Sequence, residues 1–136
     1  MSNKKKIAIA GATGFIGRWF IETYKNHFEI IALSRKKINS VDNGVEWRMV
    51  DLFSISSSTE ALKGADYALY LVHSMQPSTR LNQSNFEDTD LLLADNFSRA
   101  AQNCNLKHIV YVGGILPKDN VFFKILQICY PITPID

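Results

Sequence analysis

The sequence predicts an α/β fold around an open parallel sheet, and three observations carry that prediction. Short apolar runs alternate with amphipathic stretches as far as residue 112. The run Ile30-Ile31-Ala32-Leu33 is apolar at every position, as in a strand covered on both faces. Three glycines at three-residue spacing, Gly11, Gly14 and Gly17, separate the first apolar run from the first amphipathic stretch. The 136 residues suit one domain, and a chain of that size buries roughly two-thirds of its unfolded surface.

The first strand is Ile7-Ala8-Ile9-Ala10. Strand, glycine-rich turn and helix, in that order, are the setting of a dinucleotide-binding turn. Each glycine then has its own task. Gly11 lets the chain turn sharply, Gly14 lets the backbone approach a pyrophosphate, and Gly17 lets the helix pack closely. The N–H groups and positive end of the helix would face the phosphates. The spacing is G-x-x-G-x-x-G, with Ala12 where the commoner fingerprint has glycine. A tight turn that binds nothing needs one glycine and not three. No Gly-Lys-Ser/Thr follows, which excludes a Walker-type phosphate loop.

A helix is expected over 14–26, with Phe15, Ile16, Trp19, Phe20 and Tyr24 as its buried stripe. The second strand spans 28–33, and Ser34-Arg35-Lys36-Lys37 follows. Arg35 lies 24 residues beyond Gly11, near the interval at which such folds touch the adenosine ribose. A carboxylate there would bind ribose hydroxyls and repel a 2′-phosphate. This chain has a hydroxyl and three cations instead, a pattern that favours NADP over NAD. The alternative is a solvated basic loop. Residues 39–44 form a loop, and 45–50 the third strand. Asp51 at its end either accepts a hydrogen bond from an adenine amino group or caps the next turn.

Ser57-Ser58-Thr59-Glu60 reads as a capping box for a short helix ending at Lys63-Gly64. The fourth strand spans 67–72, with His73-Ser74-Met75 at its carboxyl end, where open sheets bind ligands. That His–Ser pair reads as a loop lining the cleft through its backbone, since no acidic residue is placed to orient a catalytic histidine. Ser84-Asn85-Phe86-Glu87 reads as a second capping box, opening a helix to Asn103 that buries Leu93, Phe97, Ala100, Ala101 and Cys104. The fifth strand is 108–112, ended by Gly113-Gly114. Residues 115–136 do not continue the alternation; Val121–Tyr130 is apolar and Pro131 and Pro134 follow.

Composition narrows the function classes. A net charge of +2 gives no case for nucleic acid or an anionic membrane. Two cysteines without a C-x-x-C fit a reducing compartment and neither zinc nor a disulfide scaffold. No signal peptide or apolar run of membrane-spanning length is present, so the expected location is the cytoplasm.

These stretches together resemble the N-terminal region of atypical or extended short-chain dehydrogenases/reductases, especially NmrA-like and sugar-nucleotide-epimerase-like NAD(P)-binding proteins. The resemblance rests on Gly11–Arg18, Ala32–Arg35, Val50–Leu52, Tyr70–Met75 and Ile109–Gly114, and covers residues 5–117. It implies a doubly wound Rossmann sheet of strand order 3-2-1-4-5. It implies that Gly11, Thr13, Gly14, Phe15, Ile16 and Gly17 line the pyrophosphate. Arg35 would meet the 2′-phosphate, Asp51 and Leu52 the adenine, and Val72 and His73 the nicotinamide ribose.

The departures from the family pattern concern catalysis. Active relatives use a Tyr-x-x-x-Lys pair and a serine near the end of strand five. Here Gly113-Gly114 stands at the serine's place, and no tyrosine has a lysine four residues on. No catalytic residue is therefore assigned, and relative to the family the chain reads as C-terminally truncated. Three readings follow: an NADP-dependent oxidoreductase or epimerase relative acting on an unidentified small molecule, a non-catalytic NADP-sensing module acting by protein contact, and a fragment without function.

Overall fold

The computed structural model describes residues 3–72 and 83–112, with the side chains of the second segment from residue 89 onward. Five strands form one parallel sheet: β1 (Lys6–Ala10), β2 (Glu29–Ser34), β3 (Val45–Met49), β4 (Tyr67–Tyr70) and β5 (His108–Tyr111). Their spatial order is β3-β2-β1-β4-β5, the doubly wound order of a Rossmann sheet. β1 pairs with β2 through Ile7–Ile30 and Ile9–Ala32, and with β4 through Ala8–Ala68 and Ala10–Tyr70.

Helices cover both faces. α1 (Phe15–Tyr24) packs on one, where Ile7, Ile9, Ile30, Ala32 and Leu69 meet Ala12 and Ile21. α2 (Ile55–Leu62) and α3 (Gln83–Asn103) pack on the other, where Ala8, Ala10, Ile31, Leu33 and Tyr70 meet Leu62, Leu93, Phe97 and Ala101. Between their ends the central strands are apolar because both of their faces lie in a core.

The expected α3 stripe packs against the sheet, with Phe97, Ala100 and Ala101 fully buried. Cys104 is half-buried at its end. Its Sγ donates to the Thr59 carbonyl at 3.2 Å, and burial pushes the thiol pKa up.

The α1 stripe does not pack as expected. Phe15 is 90 % exposed and Trp19 57 %, Ile16 is exposed too, and Phe20 and Tyr24 are half-buried. The buried residues of this helix are Gly17 and Ile21. Gly17 lies against the glycine turn, so the face centred on it becomes the contact face. Phe15 and Trp19, two positions either side, lie about 200° around the helix from it. Large apolar residues mark the helix, but its smallest residue sets the orientation.

Two cap expectations also change. The cap of α2 is Ser54 and not Ser57: Ser54 Oγ accepts the Ser57 N–H at 3.1 Å. The chain turns earlier because Asp51 organises a tight turn, so Ser57 lies within the first helical turn. α3 begins at Gln83, so Ser84 lies inside the helix and is not its cap. At the other end of α2, Arg48 from the edge strand β3 donates to the Ala61 and Lys63 carbonyls at 3.0 and 2.6 Å. Its remaining donors fork onto Glu46 and hold that carboxyl below its usual range. Orphan carbonyls at the helix end are thus met by a cation, as the helix dipole favours.

His73, Ser74, Met75, Gly113, Gly114 and the stretch 115–136 lie outside the described residues.

Candidate dinucleotide site

The carboxyl ends of β1, β2, β3 and β4 open on one side of the sheet, and all the described site residues lie there. Gly11–Gly17 follow β1, Arg35 follows β2, Asp51 and Leu52 follow β3, and Val72 follows β4. The parallel sheet therefore brings together residues far apart in sequence, with adjacent strand ends about 5 Å apart.

The three glycines separate into two kinds. Gly11 has φ +87°, and a Cβ on it would meet the Leu71 backbone at 3.1 Å. Its carbonyl accepts the Gly14 N–H at 3.1 Å, closing the turn. A Cβ on Gly17 would overlap the Gly11 carbonyl oxygen and come within 2.8 Å of Ala12 Cα. The close approach expected of Gly17 is thus to the turn itself. Gly14 differs from both. Its φ is −75°, open to any residue, and among the described residues a Cβ there would meet only the Gly11 oxygen, at an ordinary 3.4 Å. The fold has no need of a glycine at 14. The position is exposed at the head of α1, where among the described residues no side chain caps the helix. Uncapped N–H groups, a positive helix end and a surface without Cβ suit a phosphate pair.

Thr13, Phe15 and Ile16 are exposed around that helix head. Arg35, Lys36 and Lys37 line the loop after β2, and all three are exposed. The Ser34 hydroxyl turns the chain by accepting the Lys36 N–H at 3.1 Å. The Arg35 guanidinium has no partner among the described residues.

Asp51 caps the turn after β3: its Oδ1 accepts the Phe53 N–H at 3.0 Å. Its own N–H donates to Ser57 Oγ at 3.0 Å, and its carbonyl accepts from Ser54. The carboxylate remains exposed, and among the described residues Oδ2 has no hydrogen-bond partner. Leu52 turns its side chain into the core, and its carbonyl accepts Asn96 Nδ2 at 3.1 Å. Val72 is half-buried against the core.

Two residues of this site escape a reading of the sequence. Leu71 shapes the turn through its backbone, which no residue pattern reports. Asn96 leaves a weak signal, being a polar residue beside Phe97 on the buried side of α3, where a buried amide needs a partner. Among the described residues no group of three or more His, Cys, Asp or Glu side chains could hold a metal, and no helix is long and apolar enough to cross a membrane.

The sequence pattern of the NAD(P)H-binding family matches residues 11–127, from the first glycine of the turn onward. This chain belongs to that family. It is 33 % identical over 113 residues to the auxiliary protein GraX of Staphylococcus aureus, covering 82 % of this chain and 37 % of GraX. The structure of UDP-N-acetylglucosamine 4-epimerase from Bacillus cereus superposes with TM-score 0.65 at 28 % identity, covering 79 % of this chain and 35 % of the epimerase. Uronate dehydrogenase from Agrobacterium tumefaciens, in a mutant form complexed with NAD, shares the fold at TM-score 0.69 and 17 % identity, over 82 % and 41 % of the two chains. The chain thus spans well under half the length of these proteins.

Proposed function

We propose that this chain binds NADP in preference to NAD across the carboxyl edge of its sheet, as the nucleotide-binding part of an oxidoreductase or epimerase-type protein. The observation that carries the reading is Gly14, a glycine the fold does not require, set where a phosphate needs the space. In this reading Gly11, Thr13, Gly14, Phe15, Ile16 and Gly17 surround the pyrophosphate. Arg35, exposed and without a partner among the described residues, takes the 2′-phosphate with its planar fork. Asp51 Oδ2 accepts from the adenine amino group while Oδ1 keeps the turn. Val72 lies toward the nicotinamide ribose; the contact expected of His73 falls outside the described residues. The bound nicotinamide would supply hydride exchange, and the residues of this chain bind and orient it. A cytoplasmic location belongs to the same proposal.

Calorimetric titration of the chain with NADPH, and separately with NADH, tests it. Binding of NADPH well ahead of NADH is expected. Equal affinities would return Arg35–Lys37 to the role of a solvated loop, and binding of neither would overturn the reading.

The similarity to a protein called auxiliary favours a second reading: an NADP-sensing module that acts by protein contact on an unidentified partner. It predicts cofactor binding without oxidation of NADPH by carbonyl, quinone or sugar-nucleotide substrates.

A further inference from the structure

A single peptide group at the base end of the cleft is held from both sides. The Leu52 carbonyl accepts Asn96 Nδ2 at 3.1 Å. The N–H of that same peptide, belonging to Phe53, donates to Asp51 Oδ1 at 3.0 Å. Asn96 comes from α3, 44 residues away in sequence, and is 5 % exposed. An amide buried this deeply costs stability unless it is paired, and its pairing here is with the turn that carries Asp51.

The chain of bonds has a direction. The Asn96 amide donates to the carbonyl, the peptide transmits the polarisation, and its N–H donates to the carboxylate. Hydrogen bonds in such a series strengthen one another. The planar peptide also transmits orientation, because fixing its carbonyl fixes its N–H. The other bonds to this turn come from Ser54 and Ser57 of the adjoining α2 segment and hold the Asp51 backbone. The side chain of Asp51 is oriented through the peptide that Asn96 grips.

We infer that Asn96 is a positioning residue for base recognition: through the Leu52–Phe53 peptide it aims the Asp51 carboxylate at the amino group of a purine. The inference rests on the proposed adenine contact of Asp51. It makes Asn96 part of the discrimination between a 6-amino and a 6-oxo purine, although Asn96 touches neither.

The test compares the affinities of NADPH and its hypoxanthine analogue, which carries a carbonyl in place of the amino group. The unaltered chain is expected to prefer NADPH. Asp51→Ala should abolish that preference, and if it does not, the adenine contact itself is wrong. Asn96→Leu keeps the volume and removes the donor. It should lower the preference about threefold or more while binding of the hypoxanthine analogue changes little. A variant that loses both ligands equally, or that keeps the full preference while Asp51→Ala loses it, would overturn the role of Asn96. Should Asn96→Leu fail to fold, the side-chain amide resonances of Asn96 in the unaltered chain decide. They should shift with NADPH and much less with the analogue, and equal shifts would overturn the inference.

Discussion

The turn after β1 and the loop after β2 end neighbouring strands and open on the same cleft, yet the chain's own packing constrains them very differently. In the first, Gly11 is locked by its positive φ and by Leu71, and Gly17 by the Gly11 carbonyl against which it lies. In the second, Arg35 and Lys36 are exposed, and the fold asks only that the chain turn, which Ser34 accomplishes. A residue the fold requires says little about ligands. Residues the fold leaves free, Gly14 in the turn and Arg35 in the loop, are therefore the ones on which the proposed ligand recognition rests.

Substitutions test that contrast. Gly17→Ala should have the largest effect, because its Cβ meets backbone that cannot rotate away. A loss of about 3 kcal/mol or more is expected, read as a lower urea midpoint or failure to fold. A variant as stable as the parent would show that the helix has room to slide. Gly14→Val should do the opposite, with stability within about 1 kcal/mol of the parent but NADPH binding weakened about 100-fold. If it bound NADPH normally, the ligand account of Gly14 would be wrong.

Two further changes refine the contrast within the basic loop. Arg35→Asp should leave the urea midpoint unchanged and shift the NADPH-to-NADH preference by about tenfold or more, measured by titration with each. Replacing Lys36 and Lys37 together by alanine should cost only about threefold in NADPH affinity, an effect that fades as salt is raised. A larger loss from the lysine pair than from Arg35→Asp would move the phosphate contact along the loop.

Much of the candidate site can be proposed from the sequence because its signals are local. A glycine triplet between an apolar run and a helix needs no tertiary partner to be recognised, and neither does a basic stretch where a carboxylate is usual. The features that mislead share a different physics. The Phe15–Trp19 stripe reads as buried because hydrophobicity indicates that a helix packs, not which face does. Ser57 reads as a cap because Ser-x-x-Glu also occurs inside a helix that has already begun at Ser54.

Residues a few positions apart suffice for the succession of strands and helices, the turn chemistry at Gly11–Gly17 and the charge at Arg35. Long-range packing alone makes Gly17 and Ile21 the contact face of α1, closes the Leu71 backbone on Gly11, and brings Asn96 to the Asp51 turn across 44 residues. Those outcomes depend on close packing and on the pairing of buried polar groups between distant segments, which no local pattern encodes.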